Sequence, residues 1–157
     1  QAPERVARLA LLDTNPRAET PEFGARRQPQ IEKVMAGGLR GVMRDEMKPN
    51  YLFDGPRKAA ILDLCMAMAE QHGAAAFVRQ SRALQTRPDQ TATLRAYSGK
   101  ALVLCGRHDA LCPVSRHEEM AGLLANARLM VVEDAGHMPT LEQPDLVNAA
   151  LAAWLAD

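Results

Sequence analysis

Apolar and polar residues along the 157-residue chain follow two different rhythms. At 6–13, 101–105 and 128–133 apolar residues run almost without interruption, rich in valine and leucine. Such runs do not alternate, which suits strands covered on both faces of a parallel sheet. Elsewhere the spacing is helical. Residues 115–125 set Met120, Leu123 and Leu124 on one side and Glu118 and Glu119 on the other. Residues 144–156 open on Pro144 and Asp145, both favoured in a first turn. Val147, Leu151, Trp154 and Leu155 then predict one apolar stripe. The last third therefore predicts strand–loop–helix–strand–loop–helix, an α/β arrangement of parallel strands.

From about 21 to 96 no strand pattern stands out. "GARRQPQIEKVMAGG" predicts a helix ending at Gly37-Gly38. "GPRKAAILDLCMAMAEQHG" predicts another, from Gly55-Pro56 to Gly73, with Ile61, Leu64, Cys65 and Met68 as its stripe. "AAAFVRQSRALQ" continues as a third helix to the Arg87-Pro88 break. Helix piled on helix between two sheet strands reads as an inserted cap. The alternative is a long crossover, but one crossover helix needs far fewer residues. The expected layout is a core strand and start of crossover at 1–19, a helical cap and return helix at 20–97, and a core strand–helix–strand–helix at 98–157.

Charge narrows the partners. Lys+Arg and Asp+Glu both number 19, so no basic field is available for nucleic acid or an acidic membrane surface. The apolar runs are too short to span a bilayer. Cys65, Cys105 and Cys112 are odd in number and form no C-x-x-C pair, which argues against a disulfide framework or structural zinc. A reducing, cytoplasmic setting is the expectation. The sequence opens on Gln1 and leads directly into an apolar run, so the expectation is also that it begins inside a longer polypeptide.

Two stretches carry candidate chemistry. In "ALVLCGRHDALCP", residues 101–113, Asp109 follows a buried-type strand. In "EDAGHMPTLEQPDL", residues 133–146, His137 follows Gly136, where a backbone without a side chain bends sharply. Taken alone, Asp109 is a turn aspartate or a catalytic acid, and His137 a loop histidine or a base. Together they stand at the carboxyl ends of successive parallel strands, where ligand and catalytic groups gather in open α/β sheets. A carboxylate beside an imidazole holds one tautomer and stabilises the imidazolium, as a general base requires. His108, Asp109, His117 and His137 could also be drawn as metal ligands, but their spacing fits no metal motif. Cys105 reads as core, and Cys112 as a loop cysteine with nothing local to lower its pKa.

These segments resemble the carboxyl-terminal half of an α/β-hydrolase-fold enzyme, of the small esterase or enol-lactonase kind. "APERVARLALLDTNP" resembles the family's sixth strand, and residues 20–97 its helical cap. "RALQTRPD" resembles the junction from cap to core. "LVLCGRHDALCP" resembles the segment bearing the triad acid, and "VVEDAGHMPTLEQP" the one bearing the triad histidine. The resemblance implies Asp109 as acid and His137 as base, with no metal or organic cofactor. It implies a small ester or lactone substrate. The family's nucleophile elbow, G-x-S-x-G, is absent, and Ser81, Ser98 and Ser115 lack the flanking glycines. The nucleophile and oxyanion hole are therefore expected upstream or on a companion amino-terminal polypeptide, and the isolated chain is expected to be inactive. Two other readings stay open: a non-catalytic or regulatory homologue, and a member with dehalogenase or other non-hydrolytic chemistry. Met43, Met47, Phe53, Met66 and Phe77 are candidates to line an apolar pocket or to pack between helices.

Overall fold

The structure is a computed structural model that describes residues 5–156. In chain order its elements are strand β1 (Arg8–Leu12), helix α1 (Pro21–Lys33), the short α2 (Leu39–Val42) between two π-helical turns, α3 (Lys58–Gln85), α4 (Thr91–Ala96), strand β2 (Lys100–Gly106), α5 (Val114–Leu123), strand β3 (Ala127–Val132), α6 (Pro139–Glu142) and α7 (Pro144–Ala156). The three strands lie within two residues of the apolar runs that predict them, and all pair in parallel in the order β1-β2-β3. The chain forms two compact units.

Among the described residues, one unit takes in 5–16, 50–58 and 90–156 and contains the sheet. β2 is its middle strand and is buried from Ala101 to Gly106, which explains why its sequence does not alternate. Ala101 and Val103 face one side, where Leu94 of α4, Met120 of α5 and Leu124 cover them. Leu102 and Leu104 face the other, against Val132, Ala135 and Val147 of α7. β1 divides in the same way, with Leu9 and Leu11 on the first face and Ala10 and Leu12 on the second. Helices thus cover both faces, as parallel strands require.

The stripe expected on α7 holds except at Leu155, which is 61% exposed. Each residue turns a helix by about 100°, so Leu155 falls about 80° round from the buried Val147, whereas Trp154 falls only about 20° away. Trp154 packs on the sheet and Leu155 faces outward.

The other unit, residues 17–49 and 59–89, is helical. Thr20 caps α1 by accepting the Phe23 amide, and Pro21 occupies the first turn. α3 is two helices joined at Gly73, whose backbone (φ 75°, ψ 176°) lies outside the helical region and favours glycine. The stop and restart expected at that residue are therefore real. Its buried face runs through Ile61, Cys65 and Met66 and leaves Leu64 and Met68 about half exposed, so the expected stripe was rotated. Met43 and Met66 are buried within this unit, while Phe53 groups with the sheet-bearing unit. Among the described residues no helix is long and apolar enough to cross a membrane.

The two faces of the sheet lead to a contrast in stability. Leu104 is fully buried in the middle strand, so Leu104→Ala should cost about 2–5 kcal/mol in urea unfolding. Leu155→Ala should stay within about 0.5 kcal/mol of the parent.

Candidate functional site

The ends of β2 and β3 approach each other more closely than any side chain allows. A Cβ on Gly106 would lie 2.1 Å from the Gly136 oxygen and 2.3 Å from that of Ala135. A Cβ on Gly136 would lie 2.8 Å from both the Tyr51 oxygen and the Phe53 nitrogen. The backbone does bend at Gly136, as expected, but its φ is not positive, and what requires glycine there is the close approach. The loops are then tied by backbone hydrogen bonds, the amides of Arg107, His108 and His137 donating to the carbonyls of Val132 (2.8 Å), Ala135 (2.9 Å) and Tyr51 (2.7 Å). The Phe53 ring stacks on His108 with centroids 4.6 Å apart.

This contact brings Asp109 and His137 together. Asp109 Oδ1 accepts the amides of Leu111 (2.8 Å) and Cys112 (2.9 Å), so the aspartate does cap its own loop. Its Oδ2 lies 2.9 Å from His137 Nδ1. The ionised carboxylate only accepts, so Nδ1 carries the proton and donates, which leaves Nε2 as the basic nitrogen. The Asp109 side chain is fully buried, whereas that of His137 remains 24% exposed. Nε2 makes no hydrogen bond among the described residues.

The charges respond accordingly. Burial works to raise the Asp109 pKa, but the His137 hydrogen bond and the Cys112 and Leu111 amides outweigh it, and the carboxyl titrates below its ordinary 3.8. Burial works to lower the His137 pKa, but the hydrogen bond and charge of Asp109 outweigh it, aided by Asp13 and Glu142, and the ring titrates above its ordinary 6.5.

Two residues of the site have no role in the sequence reading. Glu142, in the "LEQP" run, accepts the Phe53 amide at Oε1 (2.7 Å) and those of Gly136 (2.8 Å) and Met138 (3.2 Å) at Oε2. One carboxylate thus fastens the His137 loop to residues 51–53. Asp13 directly follows β1, and its Oδ1 accepts the Gly106 amide (3.0 Å). The pattern that marks Asp109, an acid just past an apolar strand, marks Asp13 equally.

The other candidates separate from the pair. His117 is fully buried, donating from Nδ1 to the Pro113 carbonyl (3.3 Å) and accepting the Thr14 amide at Nε2 (3.2 Å). Burial lowers its pKa, so it is a neutral core histidine with both nitrogens occupied. Cys105 is core, its thiol pushed up to about 12 by burial. None of the three cysteines forms a disulfide. Asp109, Cys112 and His137 each bring one donor atom within 4.8 Å of the others. The Nδ1 proton is committed to Asp109, and while it stays there that nitrogen is no metal ligand. Ser81 is buried in the helical unit, and Ser98 and Ser115 are exposed.

A model of the alpha/beta hydrolase family matches residues 2–150 of this chain. The chain belongs to that family. A thermophilic esterase from Thermogutta terrifontis superposes with a TM-score of 0.92 at 30% identity, over 99% of this chain and 58% of the esterase. The enol-lactonase from Burkholderia xenovorans LB400 superposes with a TM-score of 0.84 at 22% identity, over 98% of this chain and 58% of that protein, a likeness of fold. Over 54 residues the chain is 39% identical to Protein ABHD8 of Mus musculus, covering 34% of this chain and 12% of that one. The sequence thus spans the latter part of an α/β-hydrolase fold with its cap-like helices, somewhat over half the length of the two enzymes.

The geometry yields two expectations. His137 has a raised pKa, so its stabilising contribution is full below about 6.5 and is lost as pH rises through the raised value. Asp109 has a lowered pKa, so its contribution is present above 3.8 and is lost as pH falls through the lowered value. Asp109→Asn should therefore lower the His137 midpoint read from imidazole NMR shifts, since burial then acts with less opposition. Glu142→Ala should cost about 1–3 kcal/mol by stranding amides. Hydrogen exchange should accelerate first at Phe53, Gly136 and Met138.

Proposed function

We propose that this chain is the acid- and base-bearing part of an α/β hydrolase that cleaves an ester, lactone or related carbonyl. The observation that carries this reading is the 2.9 Å bond from His137 to a fully buried Asp109, with Nε2 left uncommitted. In the proposed mechanism His137 Nε2 takes the proton of a nucleophilic hydroxyl as its oxygen adds to the substrate carbonyl carbon. The same proton then passes to the departing oxygen as the tetrahedral intermediate collapses. A water molecule repeats the sequence to release the acid. Asp109 holds the tautomer throughout and stabilises the transient imidazolium.

The nucleophile, a serine on a G-x-S-x-G elbow in this reading, and the amides that stabilise the oxyanion come from polypeptide outside this chain. β1 offers the place for that polypeptide to join, because only β2 pairs with it among the described residues. In this reading residues 20–97 act as the cap. The likeness to an esterase at 30% identity supports the substrate class. No step calls on a cofactor.

The test is to produce the chain together with a nucleophile-bearing segment and follow short-chain ester and lactone hydrolysis. His137→Ala and Asp109→Asn should each lower turnover by about 10⁴-fold, the scale set by loss of tautomer control in a serine protease, with circular dichroism unchanged. Turnover near wild type in either variant would overturn the assignment.

A further inference from the structure

The loop after β2 carries a thiol that the proposed mechanism does not use, that of the half-buried Cys112. The Cys112 amide donates to Asp109 Oδ1 (2.9 Å), so the loop itself holds this residue against the carboxylate. The loop after β3 brings a third group, with His137 Nδ1 2.9 Å from Asp109 Oδ2. Carboxylate, thiol and imidazole each place one donor atom within 4.8 Å of the other two. Among the described residues no other set of three histidine, cysteine or acidic side chains converges in this way.

One oxygen, one nitrogen and one sulfur are the donor set of a zinc-class ion. Magnesium and calcium take oxygen ligands, whereas thiolate and imidazole select zinc and its softer relatives. Zinc bonds of about 2.0–2.3 Å at tetrahedral angles put neighbouring donors about 3.3–3.6 Å apart. The 2.9 Å between Nδ1 and Oδ2 and the 4.8 Å outer limit bracket that spacing. Closing the difference takes a rotation of Cys112 about χ1 and a small parting of His137 from Asp109. Oδ1 meanwhile keeps its two amides, from Leu111 and Cys112, so the acid loop stays as it is. The His137 side chain is 24% exposed, so an ion reaches the group from solvent. A dication set against one carboxylate and one thiolate leaves this partly buried group neutral, which removes the cost of burying an unbalanced charge.

We propose that Asp109, Cys112 and His137 form an inhibitory site for a zinc-class divalent cation, which takes the place of the proton between Asp109 and His137. The ion bonds Asp109 Oδ2, Cys112 Sγ and His137 Nδ1, and water holds the fourth position. Nδ1 ligates only after giving up its proton, and the neutral ring then carries a proton on Nε2 instead. The thiol proton passes to solvent, and nothing is oxidised or reduced. Binding stands on the geometry of the three donors. Its consequence rests on the reading of His137 as general base. With Nε2 protonated, the ring has no lone pair to receive the proton of a nucleophile, and hydrolysis stops.

Cadmium titration of the full chain tests the binding without any substrate. The ultraviolet thiolate-to-cadmium absorption should appear and should withstand excess magnesium. Cys112→Ala should weaken binding by more than the about 10–100-fold that loss of an outer-shell partner costs, and Cys65→Ala should leave it unchanged. Nitrogen-labelled histidine NMR reads the ring. The His137 proton should move from Nδ1 to Nε2 as zinc is added. An absorption that Cys112→Ala retains in full, or a ring that keeps its Nδ1 proton at saturating zinc, would overturn the proposal. If Cys112→Ala fails to fold, the histidine signals of the parent decide alone. In the chain produced with a nucleophile-bearing segment, zinc should inhibit ester hydrolysis by the parent and far less by Cys112→Ala. Hydrolysis that persists in the parent at saturating zinc would overturn the inhibitory role. A parent that hydrolyses neither ester nor lactone sinks the functional reading instead, and leaves the metal site to the absorption and the NMR.

Discussion

At the end of β2 the backbone passes so close to the loop after β3 that a side chain at position 106 would overlap the carbonyl oxygens of Ala135 and Gly136. The candidate site follows from that closeness. Strands of a sheet stand about 4.8 Å apart, so residues leaving neighbouring strands diverge unless the loops are drawn together. Here glycine at 106 removes the steric obstacle, and the amides of Arg107 and His108 supply the ties to Val132 and Ala135. Asp109 and His137 then meet at hydrogen-bond distance although 28 positions separate them in sequence.

A buried carboxylate is costly unless donors surround it. Asp109 meets the condition with two amides from its own loop and the His137 ring. Glu142, only half-buried, converges on three amides from two segments, so that its carboxylate serves as an anchor for the histidine loop. The two carboxylates hold His137 from opposite sides of the chemistry. One acts on the ring nitrogen, the other on the backbone that carries the ring.

Much of this was legible in the sequence, for identifiable reasons. Strands covered on both faces leave unbroken apolar runs, so β1, β2 and β3 were readable to within two residues. Helix breaks at glycine were readable because Gly73 adopts a backbone that other residues avoid. That Asp109 and His137 meet followed from parallel topology, which delivers successive strand ends to one edge. What escaped reading depends on contacts made at a distance. Gly136 does lie in a bend, but what requires glycine there is that residues 51–53 pass against it. No local pattern announces a segment 80 residues away. Asp13 carried the same signal as Asp109 and was passed over because no second residue in the sequence pointed to it. Leu155 shows the limit of a helical stripe, whose rim residues need a neighbour to be covered.

The sheet itself carries a remaining constraint. β2 is buried along its length, whereas every residue of β1 is only half-buried. β1 nonetheless sends Leu9 and Leu11 to one apolar face and Ala10 and Leu12 to the other, the pattern of an interior strand. An interior pattern on a strand paired along one side leaves backbone donors and acceptors open beside apolar surface. Surface of that kind gains about 25 cal/mol for each square ångström removed from water, so the free side of β1 favours association with a further strand. Asp13 directly follows this strand, and its Oδ1 accepts the Gly106 amide at the end of β2 (3.0 Å). A strand added there would therefore bear on the position of β1, and through the Asp13–Gly106 bond on the end of β2 from which the Asp109 loop departs.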